Sequence, residues 1–232
     1  MSFNGSGFQQ FWSECGDCRI HPADKPFFDF DATRAEPDRL ATSFKTDEYG
    51  PWPFDGPLDS AKVVVCYANA LYTPEDARHR DCIRAQRTGE EDLPCPWAPY
   101  YLPRIGTALR MDMSQMQRLV SVFNVCPYPS VNMPDRAIRF AAGLPSVWAA
   151  QMHLRQVLIP KALAGDIFLV MARKHQLWGV TEGFGSPNIA FSRNIGGHLG
   201  PVLGAKIRDW LQDAGHFNAF RQTNIERIEG RV

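Results

Sequence analysis

Residues 61–72 read Ala-Lys-Val-Val-Val-Cys-Tyr-Ala-Asn-Ala-Leu-Tyr, an apolar run that stops abruptly in a polar loop. Residues 63–67 are β-branched or aromatic almost throughout, the composition of a strand buried on both faces. Such strands occur in parallel sheets covered by helices, so this run restricts the chain to an α/β architecture. Asn69 falls just past the strand's carboxyl end. Thr73-Pro74-Glu75-Asp76 then reads as a helix start, with Thr73 as N-cap, Pro74 at the first helical position and acids in the first turn. In open α/β sheets ligands bind beyond the strand ends, and Asn69 is a polar group delivered there.

The rest of the chain repeats the alternation. Residues 122–125, 167–171 and 189–191 are short apolar strands, each separated from the next by a helical segment. The pattern predicts one four-stranded parallel sheet in a three-layer α/β/α fold. Helices are expected over 74–87, where the cluster of Arg78, His79, Arg80, Arg84 and Arg87 reads as a solvated face, and over 113–120. Ser146 is expected to cap a helix running to about Ala164, kinked at Pro160. A last helix carries Leu203, Ile207, Trp210 and Leu211 on one stripe. Residues 1–59 show little periodicity and many aromatics and prolines, which predicts an irregular arm packed on the core. Residues 60–220 form the α/β domain, and 221–232 a polar tail.

With 232 residues and 44% hydrophobic content, one domain plus an arm is the natural division. There is no apolar run long enough to span a bilayer and no charged-then-apolar leader, so a soluble, cytoplasmic protein with no membrane partner is expected; the sequence does not fix the oligomeric state, for which a monomer is the expectation. Net charge is zero, which argues against a strongly basic non-specific nucleic-acid binder but permits a local basic face. Six cysteines are too few and too scattered for a disulfide scaffold.

Tyr67-Ala68-Asn69-Ala70-Leu71-Tyr72 at the end of the first strand, Asn124 at the end of the second, and the loop 192–201 containing Gly196-Gly197-His198-Leu199 together resemble the uracil-DNA glycosylase superfamily. The resemblance covers roughly residues 51–214 and rests on order and spacing more than on identity. It implies DNA as partner and a monofunctional glycosylase reaction that needs no metal and no cofactor. Asn69 then falls on the position that handles the attacking water, and His198 on the one that assists the departing base. Tyr67, Ala70, Leu71, Tyr72 and Asn124 would contact the flipped base. Arg193, Gly196 and Gly197 would grip phosphates, while Leu199 would fill the gap left by the flipped nucleotide. Each position also has a plainer role. Asn69 could cap a helix, Asn124 could satisfy loop backbone, and the tyrosines could be core.

Departures from the family pattern bear on substrate. Ala70 stands where a proline usually follows, and Leu71 where an aromatic usually closes the pocket against 5-substituted pyrimidines. The last loop lacks the usual His-Pro-Ser. A roomier pocket follows, similar to the branch that removes α-glucosylated hydroxymethylcytosine from viral DNA. The alternatives are conventional uracil excision or a catalytically silent DNA-binding member. Cys15, Cys18, Cys82 and Cys95 imitate the four-cysteine iron–sulfur spacing of some relatives, but there the later pair follows the second strand and here it precedes it. The alternative is buried or free thiols.

Overall fold

The computed structural model describes residues 5–47, 50–71, 80–88, 101–172, 174–182, 185–192, 194 and 197–215. Four apolar runs become strands β2 (Val63–Leu71), β3 (Val120–Ser130), β4 (Phe168–Met171) and β5 (Ile189–Phe191), all parallel to their neighbours. A fifth strand, β1 (Phe54–Asp55), pairs antiparallel with β3 at the edge, giving the order β1-β3-β2-β4-β5. The expected count of four strands is therefore corrected to five. A two-residue strand is too short to carry periodicity, and its flanking prolines read as turn.

Helices cover both faces. Val63, Val65 and Tyr67 point to one apolar cluster with Ile83, Ile105, Leu109, Met116, Ile207 and Leu211. These come from α3 (Arg80–Thr88), the π-helical turn Leu102–Gly106, α4 (Thr107–Leu109), α5 (Met113–Leu119) and α9 (Pro201–Asp213). Val64 and Cys66 point to the other cluster, with Phe123, Val147, Leu154, Leu158 and Trp178. Val63 through Cys66 are 0% exposed, as a strand covered on both sides demands.

The arm is not irregular. It forms α1 (Gly5–Ser13) and α2 (Lys25–Ala32). Phe8, Phe11 and Trp12 recur at helical spacing, and Phe8 and Trp12 are buried in the second cluster. Pro26 lies in the first turn of α2, where a missing N–H costs nothing. The arm also completes β3. Pro127 and Pro129 have no N–H, but their carbonyls accept from Trp52 and Lys45. The carboxyl end of β3 is thus held by donors that the arm supplies.

The helix expected from Ser146 starts one residue earlier and runs as α7 (Pro145–His153), a π-helical stretch (Leu154–Leu158) and α8 (Ile159–Ala164), following α6 (Asp135–Ala142). Ser146 does not cap it. Its backbone N–H donates instead to Asp24 Oδ1 at 3.0 Å, so a buried carboxylate from the arm meets the helix N-terminus. Asp24 Oδ2 accepts from the Tyr128 hydroxyl at 2.6 Å, and the Tyr128 hydroxyl oxygen accepts from His21 N–H. Burial, then the Asp24 charge, push the Tyr128 hydroxyl well above its ordinary pKa, so it stays a donor. The expected kink at Pro160 takes the form of π widening just upstream, which accommodates the missing donor.

Arg87 corrects the solvated reading of the arginine cluster. It is 3% exposed and donates to the carbonyls of Pro51 and Gly16, fastening α3 to the arm. Burial lowers its pKa to about 10, still far above neutrality. Residues 74–79 of that predicted helix lie outside the described residues.

His153 closes α7 among the rings of Phe8, at 4.6 Å, and Phe123, at 5.6 Å. Neither ring nitrogen has a hydrogen-bond partner among the described residues. Burial, and then the charge of Lys161, lower its pKa from 6.5 to about 4. The unfolded chain takes up this proton below about 6.5, the folded one only below about 4. Stability is therefore full above that window and lost as pH falls through it, by about 3 kcal/mol in all. Between pH 7 and pH 5, urea unfolding should show wild type losing about 2 kcal/mol more than His153→Leu. Equal losses would contradict this assignment.

Candidate functional site at the carboxyl end of the sheet

β2 and β3 are the two central neighbours in this half of the sheet, and their carboxyl ends carry the polar groups. Asn69 is half-buried at a point where the β2–β3 register slips, between Asn69 and Leu71. Such bulges re-aim side chains beside functional sites. Asn69 Nδ2 donates to Ala70 O at 2.8 Å and to Ser130 Oγ at 2.7 Å. Both amide hydrogens are engaged, so the amide plane is fixed and Oδ1 is presented as an acceptor. The helix start near Pro74 that Asn69 could cap lies outside the described residues. Ser130 is buried and lies sixty-one residues further along. Its place is hidden in the sequence, because prolines at 127 and 129 lack the N–H groups of a regular strand.

Tyr67 and Asn124 are register partners and share one face of the sheet. Tyr67 is 3% exposed, its ring 6.0 Å from that of Tyr101, and its hydroxyl donates to Gly197 O at 2.6 Å. It is a core residue that latches the last loop to the sheet. Asn124 is 1% exposed, and its Nδ2 donates to Trp52 O at 3.0 Å. A carbonyl needs a donor, which sets the amide's orientation and leaves Oδ1 buried without a partner among the described residues. The nitrogen thus serves loop backbone, and only the oxygen remains for recognition. Ala70 is fully buried, so it offers no exposed surface to a base in this conformation.

The last loop is ordered by its own polar groups. Ser192 Oγ and Asn194 Nδ2 both donate to His198 O, at 3.2 and 3.0 Å. Neither residue was singled out by sequence, since short polar loop residues are common. His198 is exposed. The Gly197 N–H donates to Asn194 O, within the loop, and is not available to a phosphate. Leu199 is 5% exposed in the first apolar cluster, its N–H bound to Arg104 O, so it cannot enter a DNA gap as the loop stands. Its apolar side chain gains more from the core than from solvent. The side chain of Leu71, and Tyr72, Arg193 and Gly196, lie outside the described residues. The structure therefore gathers Asn69, Ser130, Tyr67, Asn124 and Gly197 at one sheet end, with the exposed His198 next in sequence to Gly197.

Cys15 and Cys18 are bonded to each other as a disulfide, with Cα atoms 5.2 Å apart, which corrects their reading as free thiols. Cys82 is also disulfide-bonded, and Cys95 lies outside the described residues. Cys66 and Cys126 are buried thiols held in the protonated form by burial. No cluster of three or more His, Cys, Asp or Glu suited to a metal ion occurs among the described residues. No helix among them is long and apolar enough to cross a membrane. No family model, curated protein or solved structure matches the chain.

Proposed function

We propose that the chain is a monofunctional DNA glycosylase on a uracil-DNA-glycosylase-like fold. Its substrate class is a bulky 5-modified pyrimidine such as α-glucosylated hydroxymethylcytosine in viral DNA. The observation that carries this reading is the fixed amide of Asn69 at the carboxyl end of β2, with both hydrogens engaged and Oδ1 turned to accept. A water donating one O–H to Oδ1 keeps a lone pair for the sugar C1′. An amide cannot take a proton at neutral pH, so the glycosidic bond must be largely broken before the water attacks, and the water's proton then passes to the departing base anion. Holding that water in place supplies most of the gain. His198, exposed beside the site, donates a hydrogen bond to the departing base or offsets its charge when protonated. Asn124 Oδ1 suits a donor such as the exocyclic amine of cytosine. Reaching it requires the segment around Trp52 to lift, because Asn124 is sealed.

That seal also favours a second reading, a catalytically silent DNA-binding member of the fold. One assay separates the two: incubation with DNA carrying glucosylated hydroxymethylcytosine, and with DNA carrying uracil, followed by counting alkali-labile breaks. Breaks at modified cytosines should form about a hundredfold faster than at uracil, since a loosely held small base forfeits positioning. Breaks at uracil alone would return the protein to conventional uracil excision, and breaks on neither would make it silent.

A further inference from the structure

A cavity of about 490 Å³ opens between α2 and α6, away from Asn69 and His198. Its walls are Phe27, Phe30, Leu40 and Phe140, and its charges are Arg34, Arg139 and Asp31. The size is that of a small-molecule or single-nucleotide site. Phe27 and Phe30, three apart on α2, are 41% and 64% exposed, unusual for large aromatics. The Arg34 guanidinium carbon lies 5.3 Å from the Phe30 ring centroid, so a cation already sits on an exposed aromatic face. The Asp31 carboxylate is satisfied from within: Leu40 and Ala41 N–H donate to it, and Arg34 Nε is 3.7 Å away. Arg139 is exposed and has no hydrogen-bond or ion-pair partner among the described residues. The groove thus combines stacking surfaces with one unanswered positive charge and a second loosely held.

We propose that this groove holds an unpaired nucleotide of the DNA strand outside the reacting position. Its base would stack on Phe27 and Phe30, with its phosphate on Arg34 and Arg139. Stacking platforms beside guanidinium groups are how proteins grip single strands without reading sequence. An aliphatic ligand would leave both cations unanswered. The groove also connects to the sheet end. Phe140 packs 6.2 Å from Phe44, Phe44 bridges to Ser130, and Ser130 accepts the Asn69 amide. Phe44 and Ser130 are buried, so these contacts tie the groove's wall to Asn69 through the core. The proposal rests on the reading that the protein handles DNA.

The test is fluorescence anisotropy with a labelled oligothymidylate on wild type, Phe30→Ala and Arg139→Ala. Each variant should bind about tenfold more weakly. The Arg139 variant should also lose about one unit of salt slope. Both side chains are exposed, so thermal melts should coincide with wild type and exclude misfolding. Unchanged affinity in both variants, or no binding by wild type, overturns the groove. Displacement by an acidic aromatic peptide but not by oligonucleotide overturns it in favour of a protein partner. Base release scored on the same samples keeps the two ideas apart. Weakened binding with no release by wild type leaves the groove and removes the glycosylase; release with unweakened binding does the reverse.

Discussion

Asn69→Ala is expected to lower base release by about a hundredfold or more, while DNA affinity stays within about twofold of wild type. The argument rests on what the amide does. Its two hydrogens are tied to Ala70 O and Ser130 Oγ, so it contributes to catalysis through Oδ1 alone. Alanine removes the acceptor and leaves the attacking water unplaced. Because Asn69 is half-buried, the substitution exposes little and opens no large cavity. Ser130→Ala tests the same idea one step back. It frees the amide to rotate and should cost about tenfold in turnover with no change in affinity. Single-turnover base release beside a binding isotherm reads both. Equal losses in affinity and turnover for Asn69→Ala would make Asn69 a binding residue instead.

The second large effect is on stability. Asp24→Ala should destabilise the protein by about 3 kcal/mol, because it strips a buried acceptor from two donors at once. Tyr128 loses a 2.6 Å partner, and the start of α7 loses its cap at Ser146. For a chain of this size that is about 6–12 °C in midpoint temperature. Tyr128→Phe removes only the donor and should cost less, about 1 kcal/mol. In the double variant the two losses should not add, since both act through one contact. Calorimetry or urea unfolding measures this, and a cost below about 1 kcal/mol for Asp24→Ala would show that the arm is held elsewhere.

Where sequence patterning is strong, it and the structure agree. Residues 63–66 alternate between two covered faces, as a strand buried on both sides requires. The parallel order of β2 to β5 follows from helices separating apolar runs. The arm was misjudged because its helices are short and its prolines conspicuous, although Phe8, Phe11 and Trp12 carried the helical period. The site was legible only along the chain. Asn69 at a strand end is a local feature, whereas its partner Ser130 depends on register across β3, which no periodicity reports. The same limit explains Leu199 and Gly197. Their position in a glycine-rich loop suggested contact with DNA, but tertiary packing engages one in the core and the other in an internal hydrogen bond.

The central claim, hydrolysis of an N-glycosidic bond to a bulky base, is tested most directly by identifying both products. DNA carrying glucosylated hydroxymethylcytosine is incubated with the protein in ¹⁸O-labelled water, and free base and abasic sugar are weighed by mass spectrometry. The account predicts an intact glucosylated base in solution and one labelled oxygen on the sugar C1′, absent with Asn69→Ala. Intact DNA with every base retained, or label on the base and none on the sugar, would contradict it.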